Sequence, residues 1–283
     1  MRLLSIASGS SGNCIYVGHE GTNILIDAGI SGKRIEAGLN MIGLKTSDMD
    51  GILITHEHAD HIAGLKVVSG KYRLPVYATG GTINEILNGK KKIDIDPGLF
   101  NEVKADREFT LKDMVINPIR ISHDAADPVC YRFYSLTGEK GKTSDSTSAA
   151  VCTDLGTYDD YIIDNLKGVS TLLLEANHDI RMLEAGPYPY FLKKRILGEK
   201  GHLSNDSAGE LLSGLMASGK LKNVLLGHLS KENNYAALAF ETVKMQLEML
   251  GYGFNPKKGY GERDKVNLGV ALRDEPGKLI KVG

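Results

Sequence analysis

The chain has no tryptophan and only three cysteines in 283 residues. Cys14, Cys130 and Cys152 stand in apolar, strand-like runs with no CxxC spacing, which argues against a disulfide framework and for reduced core thiols in a cytoplasmic protein. Long apolar runs are missing too. Nothing approaches the ~20 residues of a membrane span, and residues 1–8 hold too few apolar side chains for a signal-peptide core. No charge of one sign dominates either. A formal net charge of -1 gives no whole-chain pull toward nucleic acid or membrane, so a polyanion has to be gripped by local patches. Neither an internal repeat nor a linker divides the chain, and 42% apolar residues fit one packed domain over residues 1–283.

Histidine, by contrast, is concentrated. The hexapeptide His56-Glu57-His58-Ala59-Asp60-His61 follows the apolar, β-branched run 51–55, which reads as a buried strand. Residues two apart in an extended backbone project to one side, so His56 and His58 point at one metal. Asp60 and His61 fall where the chain turns into a helix over 62–68 and face a second ion. Imidazole and carboxylate suit zinc, iron or manganese, and so many titratable groups in six residues call for a compensating cation.

Other apolar runs end on residues of the same type. Residues 114–121 lead to His123, 149–152 to Asp154 and 223–227 to His228, while 171–175 ends in Glu175-Ala176-Asn177-His178-Asp179. His123 and His228 read as ligands and Asp154 as a carboxylate with an oxygen for each of two metals. Asp124 and Asp127 read as caps or as groups standing behind ligands. The small-residue loop 8–13, with Ser10, Ser11 and Asn13, suits backbone N–H contacts to an anion, or is a plain hairpin loop. Ser31 reads as the N-cap of a helix burying Ile35, Leu39 and Ile42. Further helices are expected over 204–216 and 235–250, and a hairpin tip over the polar tract 137–147. The segment 190–202, with Lys193, Lys194 and Arg195 beside aromatics, is the best local candidate for gripping phosphates, with a solvated helix face as the alternative.

This ordered series of ligand-type strand ends resembles the metallo-β-lactamase superfamily over nearly the whole chain. Residues 7–14, 174–179, 201–205 and 227–230 look like its YycJ/WalJ branch, related to the ribonuclease Z type of phosphodiesterase. The resemblance implies an α/β fold of αββα layers, two mixed sheets face to face with a binuclear site at one edge. It implies two divalent ions, zinc foremost with manganese or iron as alternatives. His56, His58 and His123 would hold one ion, Asp60, His61 and His228 the other, with Asp154 and a nucleophilic hydroxide bridging them. Asp60, His202 and its carboxylate partner Glu175 are then expected in the chemical step, with His178 and His202 touching substrate. Members of the branch are regarded as 5′-to-3′ DNA exonucleases, so DNA is the expected partner, in the cytoplasm and away from membranes. Only 73 residues separate Asp154 from His228, too few for the inserted clamp of the β-CASP nucleases. Grip on a polynucleotide therefore falls to 190–202, the 8–13 loop and the basic stretch 257–263. The competing expectations are a hydrolase of small anionic esters, thioesters or lactones, and a binding module that keeps its metals for folding.

Overall fold

A computed structural model describes residues 1–137, 142–252 and 266–282. The tip of the polar tract and the stretch 257–263 lie outside the described residues. The first sheet takes β1 (Arg2–Ala7), β2 (Cys14–His19), β3 (Thr22–Ile26), β4 (Gly51–Leu53), β5 (Val76–Thr79) and β6 (Phe100–Val103) in sequence order. The second runs in order from β7 (Phe109–Leu111) through β8 (Met114–Arg120), β9 (Val129–Thr137), β10 (Lys142–Cys152), β11 (Thr171–Glu175) and β12 (Asn223–Gly227) to β13 (Asn267–Val270). The last strand, β14 (Ile280–Lys281), returns to the first sheet and pairs with β1.

Both sheets are mixed in the same way. From β14 to β3 and from β7 to β10 neighbours are antiparallel; from β3 to β6 and from β10 to β13 they are parallel. The two halves thus repeat one another in topology, a symmetry with no counterpart in residue pattern. The burial explains why the strands read as continuous apolar runs. Leu3, Ile15, Val17, Ile24 and Leu53 meet Met114, Phe133, Val151 and Leu173 between the sheets. The alternate residues Leu4, Tyr16, Leu25 and Ile52 pack outward with helix α1 (Gly32–Asn40). On the other side Cys130, Ala150, Leu172 and Leu226 pack outward with later helices. Strands covered on both faces need apolar residues at every position rather than at every second one.

The helices follow the expected pattern with one break. Ser31 caps α1 through its side chain, and Ile35 and Leu39 are buried; Ile42 packs on the same core just beyond the helix end. The helix expected over 62–68 is instead two, α2 (Ala59–Ile62) and α3 (Leu65–Tyr72). Gly64 lies between them, where only glycine fits because a Cβ would stand 2.0 Å from the Ile30 carbonyl oxygen. Then come α4 (Gly80–Asn88), α5 (Asp160–Leu166), α6 (Ile180–Ala185), α7 (Tyr190–Leu197), α8 (Asn205–Met216, capped by Ser204) and α9 (Ala236–Met249). No described helix is long and apolar enough to cross a membrane.

Candidate metal centre

The carboxyl ends of β3, β4, β10, β11 and β12 meet at one edge, where each sheet changes from antiparallel to parallel pairing. Open α/β sheets place ligands at such a switch point, because adjoining strand-end loops part there. Asp27 follows β3, Asp154 follows β10 and His228 follows β12, and all three take left-handed backbone angles, φ 60°, 60° and 54°. A non-glycine residue there carries strain. It turns the chain sharply and aims the side chain back over the strand ends.

The hexapeptide is braced from both sides. Asn13 N–H donates to the Asp60 carbonyl and Ala28 N–H to that of His61, each at 2.8 Å. Gly29 lies so close to this loop that a Cβ would stand 1.7 Å from the Asp60 carbonyl oxygen. Seen this way the 8–13 loop works mainly inward. The Asn13 amide lies 3.1 Å from the carbonyl oxygen of Gly9 and 3.1 Å from His61 Nε2, and Ser8 Oγ accepts from His228 N–H. Ser10 and Ser11 remain exposed at the loop tip.

Neighbouring imidazoles crowd with ring centroids 4.2 Å (His56 and His61) to 5.7 Å (His61 and His228) apart. His58 Nδ1 and His123 Nε2 are 3.2 Å apart, and His56 joins them in a set able to hold a metal ion. Asp60, His61 and His228 form a second set. In it Asp60 Oδ2 lies 3.4 Å from His61 Nε2 and 3.3 Å from His228 Nε2. Asp154 stands between the sets, with Oδ2 3.2 Å from His61 Nε2 and Oδ1 3.7 Å from His123 Nε2. Two ligand atoms on a tetrahedral zinc ion with ~2.05 Å bonds are separated by about 3.3 Å. The observed separations match that edge. His56 Nε2 and Asp154 Oδ2 are moreover buried without a hydrogen-bond partner, an arrangement costly unless a cation satisfies them.

Behind four of the rings, the outer nitrogen is held. His61 Nδ1 meets Asp27 Oδ2 at 2.7 Å, His228 Nδ1 meets Glu175 Oε1 at 2.7 Å, His123 Nδ1 meets the Gly201 carbonyl at 3.1 Å, and His56 Nδ1 meets Thr55 Oγ1 at 3.1 Å. Nδ1–H donation to the oxygens fixes the tautomer and turns Nε2 inward. Asp27 escaped the sequence reading, although a lone Asp at the end of an apolar run was the available signal. Replacing it by asparagine is expected to weaken metal affinity about 10–100-fold. Competition against a chelator of known affinity measures this, and an unchanged affinity would show that His61 needs no anionic support.

Electrostatically the centre has two halves. Burial pushes the Asp154 carboxyl up, but His228 and His61 hold it well below the usual range. Burial depresses His228, yet Asp154, Asp60 and Glu175 together bring it to about 10. His56 and His123 are held down, first by burial and then by neighbouring groups that include other imidazoles. One half is thus rich in anions, while in the other His56 and His123 are shifted toward the neutral form. Glu175 is fully buried and brought to about 2: burial alone would raise it, and the imidazoles of His202 and His228 more than offset that. Its oxygens also accept from Leu155 N–H and Leu203 N–H, so it faces protein on every side.

The side chains of His58, Asp60 and His202 keep 30%, 25% and 19% of their surface exposed, while those of His61, His123, Asp154 and His228 are buried. The centre therefore opens on that face. At its rim Asp124 Oδ1 lies 3.5 Å from His123 Nε2 and is bound by Arg195 Nη2 at 3.1 Å, with Nε on the other oxygen. Arg195 is thereby committed to a carboxylate. Lys193 donates to the Glu184 carbonyl, and Lys194 is exposed. His178 is buried, both ring nitrogens lack a partner, and its pKa is lowered to about 4, chiefly by burial. Asp127 pairs with Arg120 at 3.7 Å, away from the rings.

The Beta-lactamase superfamily domain matches residues 22–226. Exodeoxyribonuclease YycJ of Bacillus anthracis is 36% identical over 256 residues, 88% of this chain and 89% of the relative. The chain belongs to the metallo-β-lactamase superfamily, in its YycJ/WalJ branch. Exodeoxyribonuclease WalJ of Streptococcus pneumoniae is 38% identical over 88% of both chains. YhfI of Bacillus subtilis, a metallo-β-lactamase fold protein, superposes over all of this chain and 98% of its own, with a TM-score of 0.65 at 14% identity. The YycJ/WalJ relationship carries the hydrolase class with it, and the superfamily fold together with these histidine and aspartate sets implies divalent metal at this edge.

Proposed function

We propose that the chain is a one-domain, zinc-dependent exonuclease acting on DNA 5′ to 3′ in the cytoplasm. His56, His58 and His123 would hold one ion, Asp60, His61 and His228 a second, and Asp154 would contribute an oxygen to each. The observation that carries the reading is the position of Asp154 between two donor sets with ligand-like spacing. Kinship with two exodeoxyribonucleases supplies the substrate class. Divalent ions held there would supply Lewis acidity and a water that ionises near neutral pH.

The chain's own groups divide the remaining work. Glu175 holds His202 and His228 and touches no substrate. His202, with Nδ1 2.9 Å from Glu175 Oε1, keeps Nε2 for the leaving oxygen at the open face. With no inserted clamp, a polynucleotide is gripped at the rim, where the exposed Lys194, Ser10 and Ser11 are the expected contacts.

Two measurements test this. Metal-loaded protein should release nucleotides from end-labelled, 5′-phosphorylated DNA and leave a thioester intact; thioester turnover with inert DNA overturns it. Loading metal-stripped protein at neutral pH should also release protons, since His228 is protonated below about 10 and must give up that proton to ligate. Apparent affinity then rises with pH toward that value. Calorimetry in two buffers of different ionisation heat reads the proton count, and identical heats would contradict the ligand role.

A further inference from the structure

We infer that α7 is a stacking platform for the single-stranded end of a DNA substrate, with bases lying on Tyr190 and Phe191 and the backbone following Lys194 toward the metal centre. The inference rests on the nuclease reading and adds what it leaves open: how the end is recognised.

Tyr190 and Phe191 are 80% and 73% exposed. They are consecutive in a chain that has six phenylalanines and no tryptophan. Consecutive helical residues project to different sides, so Tyr190 faces a groove and Phe191 flanks it, and both rings stand in water with no apolar partner covering them among the described residues. Leu197, 46% exposed, adds to this apolar surface. The groove, of about 530 Å³, is lined by Glu184, Tyr190, Lys193, Lys194 and Leu197.

Charge selects the occupant. The helix carries three consecutive cations after its aromatics. Arg195 is spent on Asp124 and Lys193 on a backbone carbonyl, which leaves the exposed Lys194 for an anion. An aromatic pair followed by cations matches a strand whose bases are apolar-faced and whose backbone is charged. It matches a second copy of this chain poorly, because like charges would meet across the two-fold axis.

Position ties the platform to the chemistry. The Arg195–Asp124 pair plants α7 on the rim, since Asp124 lies 3.5 Å from His123 Nε2. Phe191 and Tyr190 stand four and five residues before Arg195, about 6–8 Å along the axis. A base inside a duplex has both faces covered by its neighbours, so only an unstacked end can use these rings. The platform would thereby favour frayed or single-stranded ends over blunt duplex.

The test uses the full chain with metal. The double variant Tyr190→Ala/Phe191→Ala should lose about tenfold or more in kcat/KM on single-stranded oligodeoxynucleotide, measured relative to bis-p-nitrophenyl phosphate, which has no polynucleotide strand to lay along α7. The loss on blunt duplex should be smaller. Phe191→Trp creates the only tryptophan in the chain, and a phosphorothioate-linked single strand should quench its fluorescence. An unchanged ratio of the two rates, or no quench, overturns the platform. So does a shift from dimer to monomer in sedimentation with that ratio unchanged, which assigns the face to self-association. If the unsubstituted protein degrades no DNA, the nuclease reading fails, and the quench alone decides whether α7 binds single strands.

Discussion

Replacement of Asp154 is expected to remove turnover of every phosphodiester, by roughly 10³-fold or more, and to lower bound metal from two equivalents to one or none. It stands between the two donor sets, with oxygens 3.2 Å from His61 Nε2 and 3.7 Å from His123 Nε2. Losing one preorganised charge-stabilising group typically reduces kcat about 10²–10³-fold, and here an ion would leave as well. The choice of substitution matters because Asp154 has φ 60°. Alanine in that region adds backbone strain of about 1–2 kcal/mol, whereas asparagine adopts it readily. Asp154→Asn therefore isolates the lost charge, and Asp154→Ala adds strain to it. Metal content by mass spectrometry and turnover of bis-p-nitrophenyl phosphate read the two effects separately. An asparagine variant with two ions and activity within about tenfold of the parent would show that this carboxylate does not join the ions.

Much of this centre was legible before folding was considered, for a physical reason. A ligand-type residue at the end of an apolar strand is a local pattern, so His56, His58, His123, Asp154 and His228, which the fold gathers into sets able to hold a metal, could be picked from their immediate neighbours. What could not be read depends on approach across the chain. Asp27 supports His61 only because β3 pairs with β4. Asn13 resembled an anion-loop residue until its amide was seen turned toward Asp60 and His61. Arg195 looked like a free phosphate grip, and its pairing with Asp124 spans 71 residues of sequence. The need for glycine at position 64 comes from a carbonyl more than thirty residues away, and helical periodicity carries no trace of it. The repeated sheet topology is likewise a matter of hydrogen-bond direction, to which side-chain pattern is blind.

His202 gives the other large effect, and it should depend on the leaving group. Its Nδ1 is committed to Glu175 Oε1 at 2.9 Å, which leaves Nε2 at the open face. Burial alone would lower its pKa, but Glu175 and then Asp154 raise it above the ordinary value, which favours the protonated, proton-donating form of the ring. An acid so placed matters where the departing oxygen is a sugar alkoxide, which cannot leave without a proton. It matters little for p-nitrophenolate, which leaves as the anion. His202→Ala should therefore reduce DNA hydrolysis by about 10²–10⁴-fold and hydrolysis of bis-p-nitrophenyl phosphate by less than about tenfold. The sign of the pH effect follows: DNA hydrolysis is lost as pH rises through the raised His202 pKa, and removing the negative charge of Glu175 moves that loss to lower pH. Glu175→Gln tests the shift, provided metal content is measured alongside, because Glu175 also holds His228. Equal losses on both substrates, or an alkaline limb that does not move in a variant retaining its metal, would remove His202 from proton transfer and leave it as a phosphate contact.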